Sequence, residues 1–203
     1  MFNDTYLTVK KTSQGLFKDK GSKFIGYIFP IQSAEEVKEI VAELKAEHPK
    51  ARHICWALRV STDRSVFRVN DDGEPSGTAG KPILNTLLSA DLTQVCVAVV
   101  RYFGGTLLGV PGLIHAYKQA SVEAIKAAEI IEKTIQDCYQ IEVPYAQLNE
   151  VMKILKEGKI SIKSQKLDSD CILIIEIRQQ FVLKIITQLE NINNLRLNYL
   201  FSL

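Results

Sequence analysis

Apolar residues along the 203-residue chain fall into runs of two periods. Those runs predict alternating strands and helices in an α+β order. Tyr6–Lys10 alternates, and Phe24–Phe29 is a longer β-rich run closed by Pro30, with the polar turn Lys18–Lys23 between them. Ser33 and Glu36 have capping-box spacing. Val37, Ile40, Val41 and Leu44 follow at helical period, and His48-Pro49 closes that helix. Ile54–Val60 and Ser65–Asn70 read as two strands joined by a polar turn. The glycine-rich 77–82 stretch then leads into a helix with Ile83, Leu84, Leu87 and Leu88 on its buried face. Val95–Val100 is apolar throughout and reads as a central strand. The helix after it carries Leu113, Ala116, Tyr117, Ala120 and Ala124 in one stripe, small enough for close packing on a sheet.

The texture changes after Ala128. A strand at 139–143 precedes a helix marked by Leu148, Val151, Met152 and Leu155, and two strands follow at 160–162 and 171–177. A helix marked by Val182, Ile185, Ile186 and Leu189 and a last strand at 195–201 complete a βαββαβ order, the ferredoxin-like arrangement. The expected division is a first domain over 1–130 and a second over 131–203, with the boundary near 129–136.

Composition narrows the class. The sequence is 46% apolar and 24% charged, ordinary for a globular protein. Its longest uninterrupted apolar run is six residues, against roughly 18 for a membrane span. No membrane partner is expected, and the N-terminus lacks a secretory pattern. Cys55, Cys96, Cys138 and Cys171 are too far apart for a zinc framework. No metal or other cofactor is expected, and the expected compartment is the cytoplasm. A net charge of +2 is too small to signal nucleic acid, so any basic surface must be local.

Candidate chemistry concentrates in Asp71–Pro82. Asp71, Asp72 and Glu74 form an acidic loop, suited either to a hard cation or to a plain turn. Gly77, Thr78, Gly80 and Lys81 open a helix, where free amides favour an anion. Arg101, Gly104 and Gly105 follow the central strand. Arg101 either forks onto a phosphate or carboxylate ligand or staples the two loops by pairing with a carboxylate at 71–74. His48 is expected to be exposed, His115 to lie at a surface or between helices, and His53 opens a strand with no nucleophile beside it. No catalytic set assembles. Lys153, Lys156, Lys159, Lys163 and Lys166 form the one basic cluster, either a solvated face or a nucleic-acid contact. Residues 131–203 hold nine basic and nine acidic residues, so that cluster is at most one face.

The stretches Asp71–Pro82 and Val100–Gly109, continued in Gly112–Tyr117, closely resemble the signature of the Impact/YigZ family, with Pro111 where glycine is usual. The resemblance implies a first domain like domain 2 of ribosomal protein S5. It also implies a ferredoxin-like second domain like the last domain of elongation factor G. Eukaryotic relatives restrain a translation-initiation kinase by binding its ribosome-associated activator. The resemblance therefore implies a non-catalytic binding protein in translation, with RNA, the ribosome or a ribosome-associated protein as partner. The rival reading is a hydrolase-like enzyme using the 71–82 and 101–105 loops on a small phosphorylated or carboxylated substrate. Oligomeric state is left open.

Overall fold

The computed structural model describes residues 4–202. They form two compact units, one of residues 6–133 and one of residues 4–5 with 134–202.

The first unit runs β1 (Thr5–Val9), β2 (Ser13–Asp19), β3 (Ser22–Pro30), α1 (Val37–Glu47), β4 (His53–Val60), β5 (Val66–Asn70), α2 (Gly80–Ser89), β6 (Val95–Tyr102), α3 (Gly109–Lys126) and β7 (Ile130–Thr134). Its main sheet has the order β2-β3-β6-β4-β5, and every neighbouring pair is antiparallel. Strand β6 lies at the centre with helices on both faces, so residues 95–100 are all fully buried and no alternation survives in the sequence. Val97 and Val99 pack with Ile83 and Leu87 of α2 and the alanine stripe of α3, while Cys96, Ala98 and Val100 join the clusters beneath α1. Glu36 accepts the Ser33 N–H at 2.8 Å, closing a capping box on the 3-10 turn Ala34–Glu36 that leads into α1.

Helix α3 rests almost on sheet backbone. Gly15 of β2 and Gly26 of β3 are cross-strand partners. A Cβ added at Gly15 would lie 2.3 Å from the Glu123 carbonyl carbon, and one at Gly26 would lie 2.3 Å from the Ala120 oxygen. The small-residue stripe on α3 is the other half of this contact.

Two sequence expectations change. The stretch 13–19, unassigned by its pattern, is a strand, because half-exposed positions on an outer strand need no apolar alternation. His48 is not exposed: its side chain is 10% accessible and bonds the Tyr27 and Tyr102 hydroxyls, each at 2.8 Å. Residues 131–133 belong to β7, which pairs with β1, so the division at 133/134 lies inside the expected 129–136 boundary region.

The second unit runs β8 (Gln136–Pro144), α4 (Leu148–Glu157), β9 (Ser161–Lys166), β10 (Asp170–Arg178), α5 (Val182–Glu190) and β11 (Arg196–Ser202). Its antiparallel sheet has the order β11-β8-β10-β9, the ferredoxin-like βαββαβ topology, so the protein is a two-domain α+β protein. Ile141, Leu173, Ile175 and Ile177 of its sheet pack with Val151 and Leu155 of α4 and Ile185 and Leu189 of α5. Asp4 completes this unit. Its carboxylate accepts from Arg178 at 2.8 and 3.0 Å, and its carbonyl accepts the Ile135 N–H at 2.7 Å.

Candidate functional site

The signature residues meet at one end of the first unit's sheet. There β4 begins beside the end of β6, with His53 opposite Arg101 in the register. The loop after β5 crosses this end, and its three carboxylates go to three different places.

Asp71 turns inward and accepts the backbone N–H groups of Gly77 at 2.9 Å, Ala79 at 3.1 Å and Gly80 at 2.8 Å. This overturns the expectation of free amides awaiting an external anion. Donors at a helix start must be satisfied, and a carboxylate of the same loop does it. Thr78 is likewise committed, its hydroxyl donating to the Pro75 carbonyl at 2.7 Å, and Lys81 is exposed to solvent. Asp72 accepts the Ile54 N–H at 2.7 Å, which ties the loop to the start of β4. Among the described residues no group of three His, Cys, Asp or Glu residues is placed to hold a metal.

Burial acts to raise the Asp71 carboxyl, but the donors from Gly77, Gly80 and Ala79 outweigh it and hold the group below its ordinary value of 3.8. A depressed carboxyl contributes stability that is complete above its unfolded value and is lost as pH falls through the folded one. Asp71→Asn is expected to cost about 1–2 kcal/mol at neutral pH. The gap to wild type should narrow as pH falls from about 5 towards about 2 in urea titrations. Parallel pH profiles would refute this role for Asp71.

Glu74 is the centre of the site. Its Oε1 accepts from Arg101 Nη1 at 2.5 Å and from the Tyr117 hydroxyl at 2.7 Å, and His53 Nε2 lies 4.0 Å away. Glu74 is 8% exposed and Arg101 6%, so this is a buried ion pair. The Arg101 guanidinium lies 5.5 Å from the centre of the Phe24 ring and 5.8 Å from that of Phe103. His53 Nδ1 is 2.8 Å from the Asp72 carbonyl. A carbonyl only accepts, so Nδ1 carries the proton and Nε2 faces Glu74. Cys55 donates to the Asp71 carbonyl at 3.0 Å, and desolvation raises its thiol and the Tyr117 hydroxyl far above their ordinary values. Both groups are therefore favoured in their neutral forms. Tyr117 escapes a reading based on the helix stripe. The available signal is that a buried tyrosine hydroxyl needs a partner.

The loop 103–108 supplies the other side. Gly104 passes so close to the turn between β2 and β3 that a Cβ would sit 1.9 Å from the Gly21 carbonyl carbon, and its N–H donates to Ser22 Oγ at 3.1 Å. Gly105 follows at φ +88°, a left-handed conformation suited to glycine. Held this way, the loop turns Leu107 outward at 82% exposure beside Phe103 at 43%. Between this apolar wall and the Glu74–Arg101 floor lies a cleft of about 420 Å³, with Arg52, His53 and Pro75 at its rim.

Two of the five clustered lysines, both exposed, are engaged in ion pairs. Lys163 pairs with Glu176 at 2.9 Å and Lys166 with Asp168 at 3.3 Å. Lys153 and Lys156 lie on α4, and Lys159 in the turn that follows it, all three exposed.

Among the described residues, no helix is long and apolar enough to cross a membrane. Residues 20–125 match the Impact N-terminal domain. An IMPACT family member of Haemophilus influenzae is 36% identical over 165 residues, covering 80% of this protein and 80% of its own length. YigZ of Escherichia coli is 37% identical over 70% of this protein and 71% of its own. A solved structure described only as a hypothetical protein is 29% identical with a TM-score of 0.76, over 98% of this protein and 99% of that one. The residues that build the cleft fall inside the matched domain. The likeness to the Haemophilus protein spans more residues than the first unit contains, and the protein therefore belongs to the IMPACT family.

Proposed function

We propose that this protein is a cytoplasmic, non-catalytic adaptor in the regulation of translation, and that the cleft is where it holds a ribosome-associated protein. The observation that carries the reading is the exposed apolar wall of Phe103, Leu107 and Val110 beside a buried polar floor. Large apolar groups held outward around a recess are the anatomy of a protein contact. Family membership supports the translation link, since one homologue, Yih1, is described as a two-domain translational regulator. The enzyme reading loses ground because Asp71, Glu74 and Arg101 are spent within the two loops and the nearby thiol and phenol are held protonated. Direct RNA contact ranks below a protein contact because two of the five candidate lysines are already paired.

The test is sedimentation of the full-length protein through sucrose gradients with ribosomes from its own extract. Co-migration is expected with crude ribosomes, lost after a high-salt wash and restored when the wash is added back. Leu107→Asp is expected to reduce it at least tenfold without changing the melting temperature, because that residue touches mainly water. Equal binding to washed ribosomes or to purified ribosomal RNA would replace the protein partner with RNA. Absence of co-migration would end the reading.

A further inference from the structure

The cleft floor carries one buried donor without a partner and, beside it, one carboxylate oxygen that accepts from no described residue. Arg101 uses Nη1 on Glu74 and leaves Nε buried with no partner. Glu74 receives both of its hydrogen bonds on Oε1, and among the described residues nothing donates to its second oxygen. A buried donor such as Arg101 Nε is rarely left this way unless something absent from the free protein satisfies it, whereas the second Glu74 oxygen is not among the fully buried unpartnered atoms and stays open to a donor that enters the cleft. A free anion would suit Arg101 and be repelled by Glu74, and a free cation the reverse. A peptide backbone offers a carbonyl and an N–H together. At the rim, Arg52 is exposed and has no ion-pair partner among the described residues, so the one uncompensated charge at the opening is positive. The volume of about 420 Å³ lies at the small end of the range for ligand pockets, the scale of a single anchored residue and not of a folded domain.

Resting on the adaptor reading, we propose that the cleft takes one residue of an extended acidic segment of a protein partner. A large apolar group of that residue lies against Phe103, Leu107 and Val110. Its backbone carbonyl and N–H fall to Arg101 and Glu74, and a neighbouring carboxylate meets Arg52. The arrangement combines an aromatic-walled anchor pocket with backbone recognition, as other peptide-binding surfaces do.

The experiment is an NMR titration of the ¹⁵N-labelled full-length protein with capped dipeptides. N-acetyl-Leu-Glu-amide is expected to cause saturable shifts at His53 and through residues 101–113. The Ala-Glu and Leu-Lys analogues, and the Leu-Glu analogue N-methylated at leucine, should each bind about tenfold more weakly. Arg52→Gln, an exposed change that leaves the buried pair intact, should make the Leu-Glu and Leu-Lys peptides equivalent. Equal responses to all four peptides, shifts confined to other surfaces, or no saturation would overturn the proposal. If the peptides fail while Leu107→Asp still abolishes ribosome co-migration, the adaptor reading stands and only the peptide chemistry falls. If both fail, both fall.

Discussion

Glu74→Ala is expected to destabilise the first unit by about 3–5 kcal/mol, the cost of leaving a buried charge without its counter-charge. Arg101 would remain between Phe24 and Phe103 with no carboxylate to face, and the Tyr117 hydroxyl would lose its acceptor. Both groups are too deeply placed for solvent to replace what is removed. Glu74→Gln keeps an oxygen for the Tyr117 hydroxyl and for one guanidinium N–H, so it should cost less than the alanine change. The single tryptophan, Trp56 on β4, makes the measurement selective, because its emission in a urea titration reports on this unit and not on the other. A loss below about 1 kcal/mol for Glu74→Ala would show that the ion pair does not hold the two signature loops together.

Gly26→Ala is the second large effect. The added methyl would lie 2.3 Å from the Ala120 oxygen and 2.8 Å from its carbonyl carbon. Those atoms are helix backbone and have no rotamer to escape into, so α3 must lift from the sheet or β3 must bend. The expected cost exceeds about 3 kcal/mol, at the top of the range for overpacked interiors. Gly77→Ala is the matched comparison. A Cβ there meets nothing within 4 Å, and only the positive φ of 77° opposes it. That change should cost about 1–2 kcal/mol. Equal losses at the two positions, read by Trp56 emission, would mean that close packing of α3 on the sheet contributes little.

The sequence reveals a feature most clearly where one chemical demand dominates. The six-residue run of β6 announces burial on both faces, and the alanines of α3 announce a close neighbour. The neighbour itself is harder to see. Gly15 sits in a strand whose outer position asks for no alternation, so β2 leaves almost no trace. At the site, the residue types are legible and their partners are not. A run of glycine amides after an acidic turn reads equally well as an open cradle or one already filled, and only the fold puts the Asp71 carboxylate among them. Arg101 presents the same two choices, a ligand or a loop carboxylate, and Glu74 is 27 residues away in sequence. His48 defeats a local reading for a related reason: its tyrosine partners are 21 and 54 residues distant, and no short-range pattern encodes them.

The grip of Asp4 on Arg178 has a temporal side. The two residues are separated by 174 positions, so a ribosome adding about 5–20 residues per second completes the pair only about 10–35 s after it begins it. Throughout that interval Asp4 has been made and its guanidinium partner has not. Residues 6–133 are all synthesised within the same interval and can condense around their own core first. The second unit, by contrast, draws on residues made at both ends of that interval, and Arg178 must emerge before it can close.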